Sequence, residues 1–144
     1  MRSGRACNNL SGMTITQLDA NDRELIEVAR EARKRLYMEG RHEVAAALRT
    51  ASGEVFAGIH IEADVGFADV CGDVAAICHA VAHGHRDIQT IVALGGVPEE
   101  VEIMPPCGRC REVISDFNRD AWVIVGTLAC PYKVGVSELL PLKP

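Results

Sequence analysis

The chain has 144 residues, a formal net charge of -5, 48% hydrophobic residues and 4% aromatic residues. This length predicts one domain that buries roughly two thirds of the surface of its unfolded chain. The acidic balance argues against non-specific binding to nucleic acid or to an acidic membrane surface, and no apolar run is long enough to span a bilayer. We therefore expect a small-molecule partner.

The first twelve residues contain Gly, Ser and Asn and have no periodic apolar face. We predict a flexible tail over residues 1–12 and a single domain over residues 13–144. No apolar segment follows Arg2 and Arg5, so the sequence does not predict a signal peptide. The expected location is the cytoplasm.

The remaining chain alternates between strand and helix patterns. Apolar residues at helical spacing predict a helix over 20–38, and β-rich runs around Ser52-Gly53 predict a hairpin. The predicted elements are the helix 20–38, strands 42–50 and 55–61, helix 71–84, strand 88–94 with a short continuation at 101–104, helix 107–117, strands 121–126 and 132–136, and a final turn at 137–140. This order predicts a three-layer α/β/α fold with a central mixed sheet.

Three local expectations accompany these elements. The charged run at residues 30–35 (REARKR) is typical of a solvated helix face. Cys78, in the second helix, is expected to pack in the core. Gly95-Gly96 is expected to end its strand in a turn.

Three cysteines stand at the starts of two predicted helices. Cys71 begins one, and Cys107 and Cys110 begin the other, directly after Pro105-Pro106. A helix start offers free N–H groups and partial positive charge, which stabilise a thiolate. Three protein ligands are typical of a catalytic Zn²⁺ site, which leaves the fourth position to water. We predict zinc as the cofactor.

The residues around these cysteines suggest supporting roles. Three thiolates around Zn²⁺ leave excess negative charge, and Arg109 and Arg111 flank the last ligand, where they either offset this charge or are solvated surface. Asp73 follows Cys71 by two positions, near the metal without binding it. It suits general acid and base catalysis; alternatively, it stabilises the helix dipole.

Several runs of the chain resemble the small cytidine deaminase family, which includes the blasticidin S deaminases. These runs are residues 60–62 (HIE), 71–75 (CGDVA) and 106–113 (PCGRCREV), and the resemblance extends from about residue 40 to the ending at 137–141 (SELLP). An upstream (His or Cys)-x-Glu with P-C-x-x-C is the signature of zinc deaminases that act on nucleobases. This chain has Asp73 where that signature has glutamate.

The resemblance implies zinc ligands at Cys71, Cys107 and Cys110, with Asp73 in the place of the catalytic glutamate. It puts His60 and Glu62 where the family's Asn-x-Glu holds the sugar, and His42 in place of the aromatic residue that stacks on the base. Together with Gly72, these three are the predicted substrate-binding residues. The resemblance also implies a homotetramer whose active sites neighbouring subunits complete.

Asp73 has a shorter reach than glutamate by about 1.5 Å, the length of one C–C bond. Either Gly72 lets the backbone move in, or a water fills the gap, or activity is reduced. The predicted substrate is a cytidine-like aminopyrimidine nucleoside, plain or modified, or a related aminated heterocycle such as blasticidin S.

Three functional hypotheses remain open at this point. The first is zinc-dependent hydrolytic deamination with release of ammonia, in which Asp73 moves the protons. The second is a zinc-containing nucleoside-binding protein without turnover. The third is a redox protein that uses Cys107 and Cys110 as a dithiol pair, which would leave Cys71 and Asp73 unexplained.

Overall fold

The computed structural model describes residues 12–144, which form one six-stranded sheet with helices on both faces. The predicted tail at residues 1–12 therefore lies outside the described residues except for Gly12. The strands are β1 (Ala45–Thr50), β2 (Val55–Ile59), β3 (Ile88–Val97), β4 (Glu100–Ile103), β5 (Trp122–Thr127) and β6 (Cys130–Gly135), and the helices are α1 (Ala20–Leu36), α2 (Gly72–Ala82), α3 (Gly108–Phe117) and α4 (Val136–Leu139).

The sheet is mixed, as the sequence predicted. Its strand order is β2-β1-β3-β5-β6, and β4 pairs with the second half of β3. Only the β3–β5 pair among these is parallel, whereas β1–β2, β1–β3, β3–β4 and β5–β6 are antiparallel. The parallel pair needs a crossover connection, and the chain between β3 and β5 supplies it with α3.

Alternate residues of the strands face opposite helical layers, because successive side chains in a strand point to opposite faces. Ala47, Val92, Leu94 and Ile124 pack in one apolar cluster with Leu25, Ile26 and Ala29 of α1. Ala46, Leu48, Ile91, Ala93, Val123 and Val125 pack in the other cluster with Ala76, Ile77 and Ala80 of α2 and Ile114 of α3. The result is the predicted three-layer arrangement, with α2 and α3 on one face.

The hairpin β3–β4 corrects the expectation for Gly95-Gly96. These glycines do not end the strand, because β3 continues to Val97 and pairs with β4. Gly96 has a φ of 88°, and a Cβ there would lie 2.4 Å from the Glu100 carbonyl oxygen. The glycine is required by close strand pairing rather than by a turn.

Two further expectations need correction, the first at one residue only, since Glu31, Lys34 and Arg35 are exposed as expected. Arg33, within the charged run of α1, is buried: its Nε donates to the Glu43 carbonyl at 2.8 Å, and its guanidinium also bonds the Gly96 carbonyl. Burial is possible because these carbonyls replace water as hydrogen-bond partners. Cys78 is exposed on α2, since the neighbouring Ala76, Ile77 and Ala80 are the residues that face the sheet.

The described residues contain no helix that is both long and apolar enough to cross a membrane.

Candidate functional site

The three predicted metal ligands meet where α2 and α3 begin. Cys71 is the N-cap of α2, Cys107 is the N-cap of α3, and Cys110 lies in the first turn of α3. The Cys107 Sγ is 3.6 Å from the Cys71 Sγ and 3.5 Å from the Cys110 Sγ, and all three sulfurs lie within 4.8 Å of one another. Tetrahedral zinc with Zn–S bonds of about 2.3 Å separates its sulfurs by about 3.8 Å. The sulfur spacing therefore fits one zinc ion.

The helix starts also affect the acidity of these thiols. Burial alone would raise the pKa of Cys107, but hydrogen bonds from the backbone at Cys110 and Arg109 hold it below its usual value. Burial, together with the nearby charge of Asp73, raises the pKa of Cys110. A bound dication would favour the deprotonated form of its cysteine ligands, because a thiol coordinates metal as the thiolate.

The two arginines near the cysteines have different roles. Arg109 Nη2 lies 3.2 Å from the Cys71 Sγ and donates to the Asp69 carbonyl at 2.9 Å. Arg111 instead donates to the carbonyls of Pro106, at 2.8 Å, and Leu139, at 3.0 Å. Of the two expected candidates, Arg109 is therefore the cation that can offset thiolate charge, while Arg111 ties α3 to α4.

Asp73 is buried beside the sulfurs in the first turn of α2. Asp73 is 6% exposed, and its carboxyl group is within hydrogen-bonding reach of the Cys110 thiol. Burial raises the pKa of Asp73 to about 6, against hydrogen bonds from Cys110 and its own backbone N–H that lower it. A carboxyl group with a pKa near neutrality can both accept and return a proton under physiological conditions.

A cavity of about 140 Å³ opens beside these groups. It is lined by the three cysteines, Asp73, Gly72, His60, Val44, Ala93, Met104 and Pro105. A larger groove of about 530 Å³ runs along α1, but the described residues that line it include Glu24, Glu27 and Glu31 and no cysteine. The smaller cavity is the candidate active site, because among the described residues it is where the three clustered cysteines and a buried acid meet.

Of the predicted substrate-binding residues, His60 and Gly72 line this cavity. The Glu43 backbone N–H donates to His60 Nδ1 at 3.4 Å, which leaves Nε2 as the ring's donor in the neutral form. His42 and Glu62 lie outside the cavity lining in the described chain. His42 Nδ1 donates to the His60 carbonyl at 2.9 Å, and the Glu62 N–H donates to the Arg41 carbonyl at 2.9 Å.

The sequence analysis missed four residues of the cavity wall: Val44, Ala93, Met104 and Pro105. Met104 and Pro105 directly precede the P-C-x-x-C segment, and this position was the available signal for them. Val44 and Ala93 carried no such signal, because their place in the cavity depends on the pairing of β1 with β3.

The profile of the cytidine and deoxycytidylate deaminase zinc-binding region matches residues 19–127 of the chain. This span contains α1, five of the six strands, α2, α3 and all three clustered cysteines. The chain belongs to the cytidine and deoxycytidylate deaminase family. Membership in this zinc-binding family agrees with the sulfur spacing and disfavours the dithiol redox hypothesis.

Relatives within the family match most of the chain. A blasticidin-S deaminase from Bacillus cereus is 39% identical over 136 residues, which are 91% of this chain and 97% of the relative. A cytidine deaminase from Halalkalibacterium halodurans is 37% identical over 121 residues, 81% of this chain and 89% of the relative. The crystal structure of a cytidine deaminase from Burkholderia pseudomallei superimposes with a TM-score of 0.72 and 28% identity, covering 85% of this chain and 98% of that one. These matches confirm the predicted family and fold.

Proposed function

We propose that this protein catalyses the zinc-dependent hydrolytic deamination of a cytidine-like aminopyrimidine nucleoside, with Cys71, Cys107 and Cys110 as the zinc ligands. The observation that carries the proposal is the meeting of three sulfurs and the buried Asp73 at one small cavity. Three protein ligands leave a coordination position for a small molecule, as in catalytic zinc sites. A structural zinc site would normally be closed by a fourth protein ligand.

When bound, zinc acts as a Lewis acid that lowers the pKa of water and supplies a nucleophile at neutral pH. Asp73 would accept the two protons of the water in turn, passing one to the ring nitrogen and the other to the departing amine. With both protons accounted for, the water oxygen would replace the amine on the ring carbon and the amine would leave as ammonia. Arg109, whose Nη2 lies 3.2 Å from the Cys71 Sγ, would offset part of the charge of that sulfur.

The cavity wall supports a ring-shaped substrate with hydrogen-bonding groups at its edge. Val44, Ala93, Met104 and Pro105 offer apolar contact, while His60 offers the Nε2 N–H as a donor. We place the base next to Asp73 and the sugar towards His60. Glu62 and His42, which lie near His60, remain predicted substrate contacts. The names of the two curated relatives support an aminopyrimidine.

Blasticidin S is the second candidate substrate. The Bacillus cereus relative named for it matches 91% of this chain, more than the 81% matched by the cytidine deaminase from Halalkalibacterium halodurans. Both substrates would be deaminated by the same groups, so the choice lies in how the cavity accommodates what is attached to the base. A role in pyrimidine salvage follows from the first candidate, and a detoxifying role follows from the second.

The test is ammonia release by the zinc-loaded protein from cytidine, deoxycytidine, blasticidin S, adenosine and guanosine. We expect release from the cytosine nucleosides, one zinc ion per chain, and loss of both zinc and activity in Cys71→Ser. Faster release from blasticidin S than from cytidine would favour the second candidate. No release from any compound by protein that retains zinc would refute the proposal and leave the nucleoside-binding hypothesis.

We also propose a homotetramer in the cytoplasm. The loop before α2 exposes Val65 and Phe67, which are 62% and 90% exposed, and this supports contact with another subunit. A site of three thiols needs them reduced, which supports a reducing compartment. Light scattering after gel filtration, at several protein concentrations, tests the assembly, and a stable monomer would exclude it.

A further inference from the structure

Helix α2 packs against the β1–β2 hairpin through backbone contacts at two glycines. A Cβ on Gly58 of β2 would lie 2.1 Å from the Ala76 backbone nitrogen. A Cβ on Gly72, the first residue of α2, would lie 3.0 Å from the Val44 carbonyl oxygen and 3.3 Å from the Ala46 nitrogen. Because both positions lack a side chain, α2 lies closer to the hairpin than other residues would allow.

The contact at Gly72 faces the active-site cavity. Val44, whose carbonyl meets Gly72, lines this cavity together with Gly72, Asp73 and Ala93. A Cβ contact of 3.0 Å is tight enough that the neighbouring group must give by a few tenths of an ångström. Alanine at position 72 would therefore separate the first turn of α2 from the Val44 carbonyl by a few tenths of an ångström, and Asp73, the next residue, would shift with that turn.

The position of this turn matters because the Asp73 side chain is one methylene shorter than the glutamate that does the proton transfer in zinc deaminases. Zinc deaminases with this signature use glutamate as the general acid and base, and aspartate lacks about 1.5 Å of that reach. We propose that Gly72 is a positioning residue that compensates for Asp73: it brings the first turn of α2 towards the cavity and recovers part of the missing reach. This inference rests on the proposed function.

The expected size of the effect follows from the distance. Misplacing a reacting group by about 1 Å can cost up to about a hundredfold in rate. A shift of about 0.3–0.4 Å, on the same logarithmic scale, corresponds to a loss of about fivefold. The close approach at Gly72 recovers only part of the reach that aspartate lacks. We therefore expect the effects of substitutions at positions 72 and 73 to be coupled, but we do not expect a chain with alanine at position 72 and glutamate at position 73 to have the same activity as wild type.

The test is a double-mutant cycle of wild type, Gly72→Ala, Asp73→Glu and G72A/D73E, in which kcat, KM, zinc content and melting temperature are measured with the best nucleoside substrate. Gly72→Ala should lower kcat about fivefold with zinc content unchanged. Asp73→Glu should also lower kcat, because an added methylene overfills a buried site. The double variant should have a higher kcat than Asp73→Glu. Gly72→Ala thus lowers kcat when residue 73 is aspartate and raises it when residue 73 is glutamate.

A matched control exists in the other metal-binding helix. Gly108 is the first residue of α3, directly after Cys107, and a Cβ there would meet nothing within 4 Å. Gly108→Ala should leave kcat unchanged. A crystal structure of Gly72→Ala should show the Cα of residue 72 farther from the Val44 carbonyl by a few tenths of an ångström, a readout that does not depend on activity.

The outcomes separate the two proposals. If Gly72→Ala lowers kcat by the same factor with either acid at position 73, or leaves kcat unchanged, the compensation is refuted while the deaminase function stands. If Gly72→Ala does not fold, Asp73→Glu alone decides: a gain in kcat refutes the compensation, and a loss with zinc retained supports it. A wild-type protein that releases no ammonia from any nucleoside refutes the proposed function, and this inference with it.

Discussion

Arg109 offers the most direct test of how the chain supports a zinc ion on three thiolates. Its Nη2 lies 3.2 Å from the Cys71 Sγ, and it also donates to the Asp69 carbonyl at 2.9 Å, so it holds both the ligand and the loop before α2. Arg109→Met keeps much of the side-chain length and removes the charge and the donors. We expect this variant to bind zinc more weakly.

The magnitude can be worked from the hydrogen bond to the thiolate. A hydrogen bond to a charged group contributes about 1.5–3 kcal/mol, and Arg109 is exposed, so the lower end of the range applies. About 1.4 kcal/mol corresponds to a factor of ten in affinity. We therefore predict about a tenfold weaker zinc affinity, at the lower bound of the loss of about 10–100-fold that is usual for outer-shell partners of metal ligands.

The assay is competition for zinc with a chromophoric chelator, at fixed pH and ionic strength. Arg109→Lys should lie between wild type and Arg109→Met, because it keeps the charge and loses the planar fork. Arg119→Gln serves as the charge-matched control, since Arg119 bonds the Pro144 carbonyl rather than a cysteine. An affinity of Arg109→Met within twofold of the control would refute the assigned role of Arg109.

Three further predictions concern the acid and the fold. Asp73→Asn should lower kcat at least about a hundredfold with zinc content unchanged, as measured by ammonia release and metal analysis; unchanged activity would remove Asp73 from the mechanism. Asp19→Ala removes the capping box of α1, in which Asp19 and Asp22 bond each other's backbone N–H, and should lower the free energy of unfolding by about 1 kcal/mol in urea titrations. Lys133→Met leaves the buried Asp22 without the ammonium group that lies 2.7 Å from its carboxylate, and it should lower the free energy of unfolding by about 3 kcal/mol in the same titrations. A decrease smaller than that of Asp19→Ala would contradict this prediction.

The elements and the three cysteines of the candidate site were predictable because their signals are local. Apolar spacing located α1 to within two residues, and the cysteines at positions 71, 107 and 110 stand at helix starts that the pattern itself marks. The convergence of those starts followed from the fold class, since ligands in such sheets gather where strands lead into helices.

What could not be predicted depends on contacts between distant parts of the chain. The bond from Arg109 to Cys71 joins residues 38 positions apart, and the bond from Arg33 to the Gly96 carbonyl joins residues 63 apart. A charged residue in a helix is usually solvated, so nothing local marked Arg33 as buried. Likewise, the requirement for glycine at position 96 exists only once β4 pairs with β3.

The charge balance at the site favours an uncharged nucleoside over a nucleotide. Three thiolates and the Asp73 carboxylate contribute four negative charges, while zinc, Arg109 and two helix starts of about half a charge each contribute about four positive charges. The site is thus nearly neutral before substrate binds. The described residues that line the cavity include no lysine or arginine that could pair with a phosphate. A phosphate held against these lining residues would lose hydration without gaining a cation from them, whereas the hydroxyl groups of a free nucleoside can hydrogen-bond to groups such as the His60 N–H.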